Sequence, residues 1–164
     1  MDTLLEHQVD SNEVPCLLIP MANSQLLLPT VTIAEMIPYQ SPQQKADPEM
    51  PQWFLGYLPW RGLTVPMLSF ERITGQDSPE IDGSSQISVF NNTGVSAQLP
   101  FLAIPTTGIP HLSRITPERI IKTDIEPKPY EIMCVSIADE EAIIPDVSAL
   151  EHSCADLLGL DLHK

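Results

Sequence analysis

The residues of this sequence that could carry out chemistry are few, and they lie in three short groups. One group, Glu151-His152-Ser153-Cys154, holds the residue types of a cysteine nucleophile and its base. We expect this group to lie on a helix, where residues at adjacent positions point in different directions. Cys154 belongs to the apolar side of that helix and His152 does not, so the group is interpreted as structural.

The other two groups lack the partners that catalysis or metal binding requires. His111 stands alone between two non-catalytic residues and is interpreted as structural or exposed. Asp139-Glu140-Glu141 offers carboxylates, but a calcium-type cation needs several more oxygen ligands from a shaped loop. Between two apolar segments this trio is typical of a solvated hairpin tip. The sequence also contains no GxSxG, HExxH, CxxC or glycine-rich phosphate motif. We therefore predict a protein that is not an enzyme, with no catalytic residue, no cofactor and no metal.

Charge and cysteine content narrow the class of partner and the compartment. The formal net charge is −14, with only eight lysines and arginines, so we expect no nucleic-acid partner. No apolar run approaches the length of a membrane span, so we expect no membrane insertion. The acidic segment from Met1 to Val14 lacks the features of a signal peptide and is predicted to be flexible. Cys16, Cys134 and Cys154 lie far apart in apolar stretches, which indicates reduced, buried thiols and a cytoplasmic protein.

Proline content and apolar patterning predict a mostly β protein with few helices. Seventeen prolines against seven glycines favour short strands over a helical bundle. Three pairs of apolar runs flank turn-forming residues, and a fourth pair brackets Pro59-Trp60-Arg61-Gly62. The pairs are 16–21 with 25–31, 86–90 with 95–104, 132–137 with 142–147, and 53–58 with 63–68. This spacing indicates barrel or sandwich architecture.

Short helices and loops complete the predicted organisation. Residues 69–74 are expected to form one or two helical turns, and Thr116-Pro117-Glu118 to start another. Ser148 and Glu151 have capping-box spacing, which predicts a C-terminal helix from Ser148 to Leu158. Residues 38–52 and 76–85 are predicted loops, and the second is expected to divide the chain into two β units.

Trp60-Arg61-Gly62 is the segment best suited to recognition without chemistry. Tryptophan and arginine are common anchors of protein interfaces, and the neighbouring glycines permit close backbone approach. A second interpretation is equally open at this point: Trp60 packs in the core while Arg61 pairs with a nearby acid. The spacing alone does not separate the two.

The same segment resembles the CheW-like domain family of bacterial chemosensory proteins. In that family a glycine precedes a short run ending in Arg-Gly, followed by an apolar stretch with a proline and a short helix. Here the corresponding residues are Gly56, Arg61-Gly62, Pro66 and the helical stretch 69–75. The family's valine-x-glutamate element resembles Ile33-Ala34-Glu35-Met36. The resemblance covers about residues 15–158, and the order of the elements agrees along that length.

This resemblance implies a fold, a role and a set of partner-binding residues. The fold is two SH3-like five-stranded β-barrel subdomains with short helices and a C-terminal helix, which makes residues 15–164 one CheW-like domain. The role is that of an adaptor between the signalling tip of a methyl-accepting chemoreceptor and the regulatory domain of a CheA-like histidine kinase. Carried over residue by residue, the receptor-facing side comprises Arg61, Glu35, Ile33, Trp60 and Gly62.

The second half of the chain departs from the family pattern. Where many members have a Val-Asp pair, residues 104–110 contain Pro105 and Pro110, which are expected to disturb strand pairing. Such divergence suits an auxiliary, ChpC-like adaptor of a chemosensory system that governs type IV pili and twitching motility. Two further classes stay open: a β-barrel that binds a small ligand between its subdomains, and a cysteine hydrolase using Cys154 or Cys134.

Overall fold

The computed structural model describes residues 12–43, 49–77 and 79–162, which form two curled β-sheets and a C-terminal helix. The helices are α1 (Phe70–Ile73) and α2 (Val147–Leu158), and single 3-10 turns lie at Thr30–Thr32 and Pro117–Arg119. The strands in chain order are β1 (Val14–Pro20), β2 (Gln25–Pro29), β3 (Ile33–Pro38), β4 (Phe54–Trp60), β5 (Leu63–Leu68), β6 (Gln86–Asn91), β7 (Phe101–Thr106), β8 (His111–Ile115), β9 (Ile121–Lys122), β10 (Glu131–Ile137) and β11 (Glu140–Pro145). The prediction of a mostly β fold with two β units and a C-terminal helix is confirmed.

The two sheets differ in size and are closed by strands from distant parts of the chain. One sheet has six strands in the order β8-β1-β2-β11-β10-β9, and the other has five in the order β3-β6-β7-β5-β4. Neighbours are antiparallel except at β2–β11 and β5–β7, which are parallel. One sheet therefore exceeds the five strands expected, and its extra edge strand β9 has only two residues.

Strand pairing does not follow the predicted division in the loop 76–85. That loop connects α1 to β6, and the strands on both sides of it, β5 and β6, belong to the five-stranded sheet. The six-stranded sheet combines the first two strands of the chain with the last four. The sheets are thus units in space but not successive halves of the sequence, and the domain boundaries stay predictions. Most of the N-terminal segment 1–14 lies outside the described residues.

The tight turns confirm the predicted hairpins, with one exception. β1 and β2 pair across residues 21–24, and β10 and β11 pair across Ala138 and Asp139, which have φ of 49° and 69°. The exception is β7, which begins at Phe101 and not at residue 95. Val95 and Leu99 are buried in the core although they lie in an irregular connection. Their apolar side chains therefore gave the sequence a pattern typical of a strand.

The prolines of the second half do not break the sheet in the way expected. Pro105 lies inside β7, in register with Ile87 of β6, and the antiparallel pairing continues to Thr106. Pro110 lies directly before β8, which is an edge strand of the six-stranded sheet. The expectation that strand pairing is disturbed at Pro105 is therefore wrong.

Three apolar clusters hold the fold together. One lies inside the five-stranded sheet, one lies inside the six-stranded sheet, and the largest lies between both sheets and α2. Leu26 and Leu28 of β2 face the central cluster, whereas Leu27 faces the interior of its own sheet. A strand that is buried on both faces needs a continuous apolar run, which explains why this segment shows no polar alternation.

Helix α2 covers the central cluster, but its N-terminal cap differs from the prediction. The side chain of Asp146, not Ser148, accepts a hydrogen bond from the Ala149 backbone N–H at 3.0 Å. The helix therefore begins at Val147, and it ends at Leu158, followed by the cap residue Gly159, whose φ of 68° suits glycine. Glu151 serves no capping box, because its carboxylate accepts from the backbone N–H of Thr93 at 3.0 and 2.9 Å.

Truncating Leu150, a fully buried residue of α2, tests the importance of the central cluster. The variant Leu150→Ala should lower the free energy of unfolding by about 2–5 kcal/mol, since it leaves a cavity under the helix. Urea denaturation measures the difference. The control Leu112→Ala removes a side chain that is 68% exposed and should change stability by about 0.5 kcal/mol or less. Equal losses for the two variants would contradict the assignment of this core.

Two acidic residues lie in the interior of the described part of this acidic chain. Glu151 is 1% exposed and Glu71 is 3% exposed. The Oε2 atom of Glu71 accepts a hydrogen bond from the backbone N–H of Ala22 at 3.1 Å. Glu71 thus links α1 to the β1–β2 turn, and Glu151 links α2 to the β6–β7 connection. Burial raises the pKa of both carboxyl groups above 4.5, and the backbone N–H donors offset only part of the shift.

These raised pKa values predict how stability depends on pH. The folded protein binds a proton on each of these carboxyl groups more tightly than the unfolded chain does. The stability that this protonation contributes is therefore fully present below pH 4.5, and it is lost as pH rises through the raised pKa values of the folded state. The free energy of unfolding of Glu71→Gln/Glu151→Gln should fall less steeply above pH 4.5 than that of the natural sequence. Urea titrations at several pH values measure both slopes, and the histidines common to both proteins cancel. Parallel curves would contradict this prediction.

The three cysteines are buried and free, as the sequence predicts. Cys154 is fully buried beside Glu151, and burial together with that carboxylate raises its thiol pKa to about 12. Burial also raises the pKa of the Cys16 and Cys134 thiols. A thiol in such a site is poorly suited to act as a nucleophile, because the thiolate is the reactive form.

Alkylation of the native protein tests this conclusion and the cysteine hydrolase hypothesis together. At pH 8 only about one Cys154 thiol in ten thousand is ionised, so iodoacetamide should leave it unmodified until denaturant is added. Mass spectrometry of digested samples reports each cysteine separately. Cys16, which is 5% exposed, provides the internal reference. Faster labelling of Cys154 or of Cys134 than of Cys16 would support a reactive thiol and contradict the prediction.

Candidate functional site

The segment singled out by the sequence forms the turn between β4 and β5. The turn consists of Arg61 and Gly62, with φ of 48° and 76°, and Trp60 pairs with Leu63 across it. Two successive residues with positive φ are typical of the tight turns that match the twist of a hairpin. The observed turn is shorter than the predicted segment Pro59-Trp60-Arg61-Gly62, because Pro59 and Trp60 belong to β4. Arg61 therefore lies at the tip of a hairpin, between the paired residues Trp60 and Leu63.

Trp60 anchors this tip in the interior of the five-stranded sheet. Its side chain is 8% exposed, and its ring meets the Phe101 ring edge to face at a centroid distance of 4.8 Å. The indole Nε1–H donates a hydrogen bond to Oε1 of Glu35 at 2.9 Å. The polar atom of this buried ring is thus satisfied, as buried indoles require. Of the two interpretations left open by the spacing, core packing is the one observed for Trp60.

Arg61 pairs with the same carboxylate but remains largely exposed. Its Nη2 atom lies 3.2 Å from Oε1 of Glu35, and its Cζ atom lies 4.9 Å from the centroid of the Trp60 ring. The two charged side chains are 66% and 39% exposed. An exposed pair of this kind contributes about 0–1 kcal/mol to stability. The ion pair and the cation–π contact therefore orient the guanidinium more than they stabilise the fold.

The structure brings together four of the five residues assigned to the partner-facing side. Glu35, Trp60 and Arg61 form one hydrogen-bonded network, here called the Arg61 network, and Gly62 completes its turn. Ile33 begins the same strand as Glu35 but packs against the central cluster, beyond a register irregularity in β3. Phe101, which supports Trp60, was not found from the sequence because it lies 41 positions further along the chain and its contact depends on the sheet.

The remaining candidates do not assemble into a site. His111 is exposed on the edge strand β8, and Glu140 and Glu141 are exposed on β11 next to the Ala138–Asp139 turn. Within residues 12–43, 49–77 and 79–162, no group of three histidine, cysteine, aspartate or glutamate side chains is arranged to hold a metal ion. In the same part of the chain, no helix has the length and apolar character needed to cross a bilayer.

Comparisons with known proteins agree with this architecture. The family model described as CheW-like domain matches residues 15–154. The scaffolding protein TtCheW from Thermoanaerobacter tengcongensis has a similar fold, with a TM-score of 0.68 and 15% sequence identity over 81% of this chain and 84% of that chain. No curated protein sequence matches the chain. Because the family match spans both sheets and most of α2, the chain belongs to the CheW-like domain family.

Proposed function

We propose that this protein is a cytoplasmic, non-catalytic adaptor that couples chemoreceptors to a histidine kinase. Membership of the CheW-like family and likeness to a scaffolding protein support an adaptor role. The observation that carries the proposal is the exposed guanidinium of Arg61, held in a fixed position on a buried tryptophan. If Arg61 served only to pair with Glu35, its guanidinium would not need to be exposed at the tip of a hairpin.

The Arg61 network has the properties of a docking element. The guanidinium has five N–H donors, and the contact with Glu35 engages one of its two terminal nitrogens. The remaining donors can reach a carboxylate or a carbonyl on a partner with directional geometry. Leu63 is 43% exposed beside the turn and adds apolar surface next to the charge. An oriented cation with adjacent apolar area is a common composition for the centre of an interface.

The proposed partners are the signalling tip of a methyl-accepting chemoreceptor and the regulatory domain of a CheA-like kinase. With a formal net charge of −14, the chain would repel acidic surfaces in general, so a cation at one tip restricts where an acidic partner group can dock. We further propose that the output is control of type IV pili and twitching motility, in keeping with the divergent sequence of residues 104–110. No cofactor takes part in this function.

Charge reversal at the tip tests the proposed docking element. Arg61→Glu should weaken binding to the receptor tip or to the kinase domain about ten-fold or more, because the partner group loses its donor and meets a like charge. Binding is measured by titration calorimetry with each purified partner. The fold should survive, since the exposed ion pair contributes about 1 kcal/mol or less. Unchanged affinity in a variant that still folds would disprove the docking role.

Two further variants make the result specific to this position. Arg114→Glu makes the same charge change at an exposed arginine of β8, in the other sheet, and should leave binding nearly unchanged. Glu35→Gln keeps an oxygen acceptor for the Trp60 indole but removes the anion beside Arg61. It should weaken binding less than Arg61→Glu, because it disturbs the orientation of the guanidinium without removing it. Equal losses for Arg114→Glu and Arg61→Glu would indicate a general effect of net charge.

A further inference from the structure

A small cavity lies apart from the Arg61 network and contains polar groups that the adaptor role does not use. It has a volume of about 220 Å³, is partly open to solvent, and is lined by α1, the end of β7, the loop that precedes β6, Tyr39 and Leu55. None of its lining residues belongs to the Arg61 network. Ser69, Glu71, Ser85 and Thr106 contribute its buried polar side chains, each 7% exposed or less. Two of them have structural roles, because Ser69 Oγ accepts from the Arg72 backbone N–H at 3.2 Å and Ser85 Oγ accepts from the Asp82 backbone N–H at 3.0 Å. Thr106 and Glu71 are the two whose placement still needs an explanation.

Thr106 supplies the first observation that points to a ligand. Its side chain is 3% exposed and lines the cavity, and its Oγ1 atom has no hydrogen-bond partner among the described residues. A buried hydroxyl left unpaired costs about 1–3 kcal/mol, and folded proteins rarely contain one. Valine would fill the same volume without this cost. The hydroxyl therefore marks a place where a group from outside the chain would complete a hydrogen bond.

Glu71 supplies the second observation. Buried carboxylates are usually paired with a cation. The carboxylate of Glu71 instead accepts from neutral donors, which are the backbone N–H of Ala22, its own backbone N–H and the side chain of Ser69. Arg72 also lines the cavity, but its Nη1 atom donates to the carbonyl of Gln52 at 3.1 Å, and no described residue forms an ion pair with Glu71. Burial raises the pKa of the Glu71 carboxyl, as expected where no cation compensates its charge.

The remaining walls of the cavity are suited to a short hydrocarbon chain. Leu55, Ile81 and Pro105 contribute apolar surface to its lining. A ligand that satisfies both sides would combine a few methylene groups with a compact cationic donor. An ammonium group has three N–H donors and no acceptor, which suits an anionic carboxylate and an unpaired hydroxyl oxygen.

We propose that this cavity binds a small aliphatic amine in its ammonium form, with N–H groups donated to the carboxylate of Glu71 and to Oγ1 of Thr106. The cavity is smaller than the 300–1,000 Å³ or so that drug-sized ligands occupy, so the ligand class is limited to amines of a few carbon atoms. The proposal does not depend on the adaptor function, because the two sites share no residue.

Titration with n-butylammonium chloride tests the cavity directly. Saturable amide shifts at Ser69, Glu71, Ser85 and Thr106 in NMR spectra, with a concentration-dependent rise in Tm, are the expected result. n-Butanol provides a neutral ligand of nearly the same size, and sodium chloride matches the ionic strength. Equal shifts with butanol would overturn recognition of the cation. Absence of saturable shifts with either compound would show that the Thr106 hydroxyl is hydrated and that no amine binds.

Two matched valine variants show whether the unpaired hydroxyl takes part. Thr106→Val should fold at least as well as the natural sequence and weaken butylammonium binding about five-fold or more, the loss of one hydrogen bond. Thr107→Val makes the same change at a neighbouring residue that does not line the cavity, and it should leave binding unchanged. Glu71→Gln should abolish the preference for butylammonium over butanol. If Glu71→Gln fails to fold, the two valine variants decide, and equal binding by both would overturn the proposal.

Discussion

The central apolar cluster between the two sheets is the constraint on which the rest of the structure depends. Strand β2 contributes to it with Leu26 and Leu28 while Leu27 fills the interior of its own sheet, so separating the sheets would expose the apolar face that carries Leu26 and Leu28. Strand β7 has the same double role, with Leu102 and Ile104 on one face and Ala103 on the other. Helix α2 closes the remaining side of the cluster. Apolar burial of this kind is the dominant favourable term in folding.

The Arg61 network depends on this scaffold more than on its own charges. Trp60 is buried against Phe101, and the two-residue turn leaves Arg61 one well-defined position at the tip of the hairpin. The exposed ion pair with Glu35 is too weak to hold a flexible loop in place. Packing inside the five-stranded sheet therefore supplies the order, and the charged groups supply the direction of the proposed contact. This combination suits a protein that recognises partners without carrying out a reaction.

Buried acids show how far composition can mislead about the role of charge. Although the chain is strongly acidic, Glu71 and Glu151 lie inside and connect separate parts of the fold through backbone N–H groups. Each carboxylate accepts from a backbone N–H of an irregular connection that no strand or helix pairs. Their positions also explain why the connections around Ala22 and Thr93 are ordered without regular secondary structure.

The sequence by itself determined the elements whose signals are local. Turn residues between apolar runs predicted the β1–β2, β4–β5 and β10–β11 hairpins, and apolar spacing predicted α2, because turn chemistry and periodicity act over a few residues. Only the tertiary structure decided that β2 pairs with β11, that β7 begins at Phe101, and that Glu35 accepts from both Trp60 and Arg61. These contacts join residues far apart in the chain. Which of these contacts form depends on burial and on the hydrogen-bond donors nearby in space. Local sequence patterns contain neither kind of information.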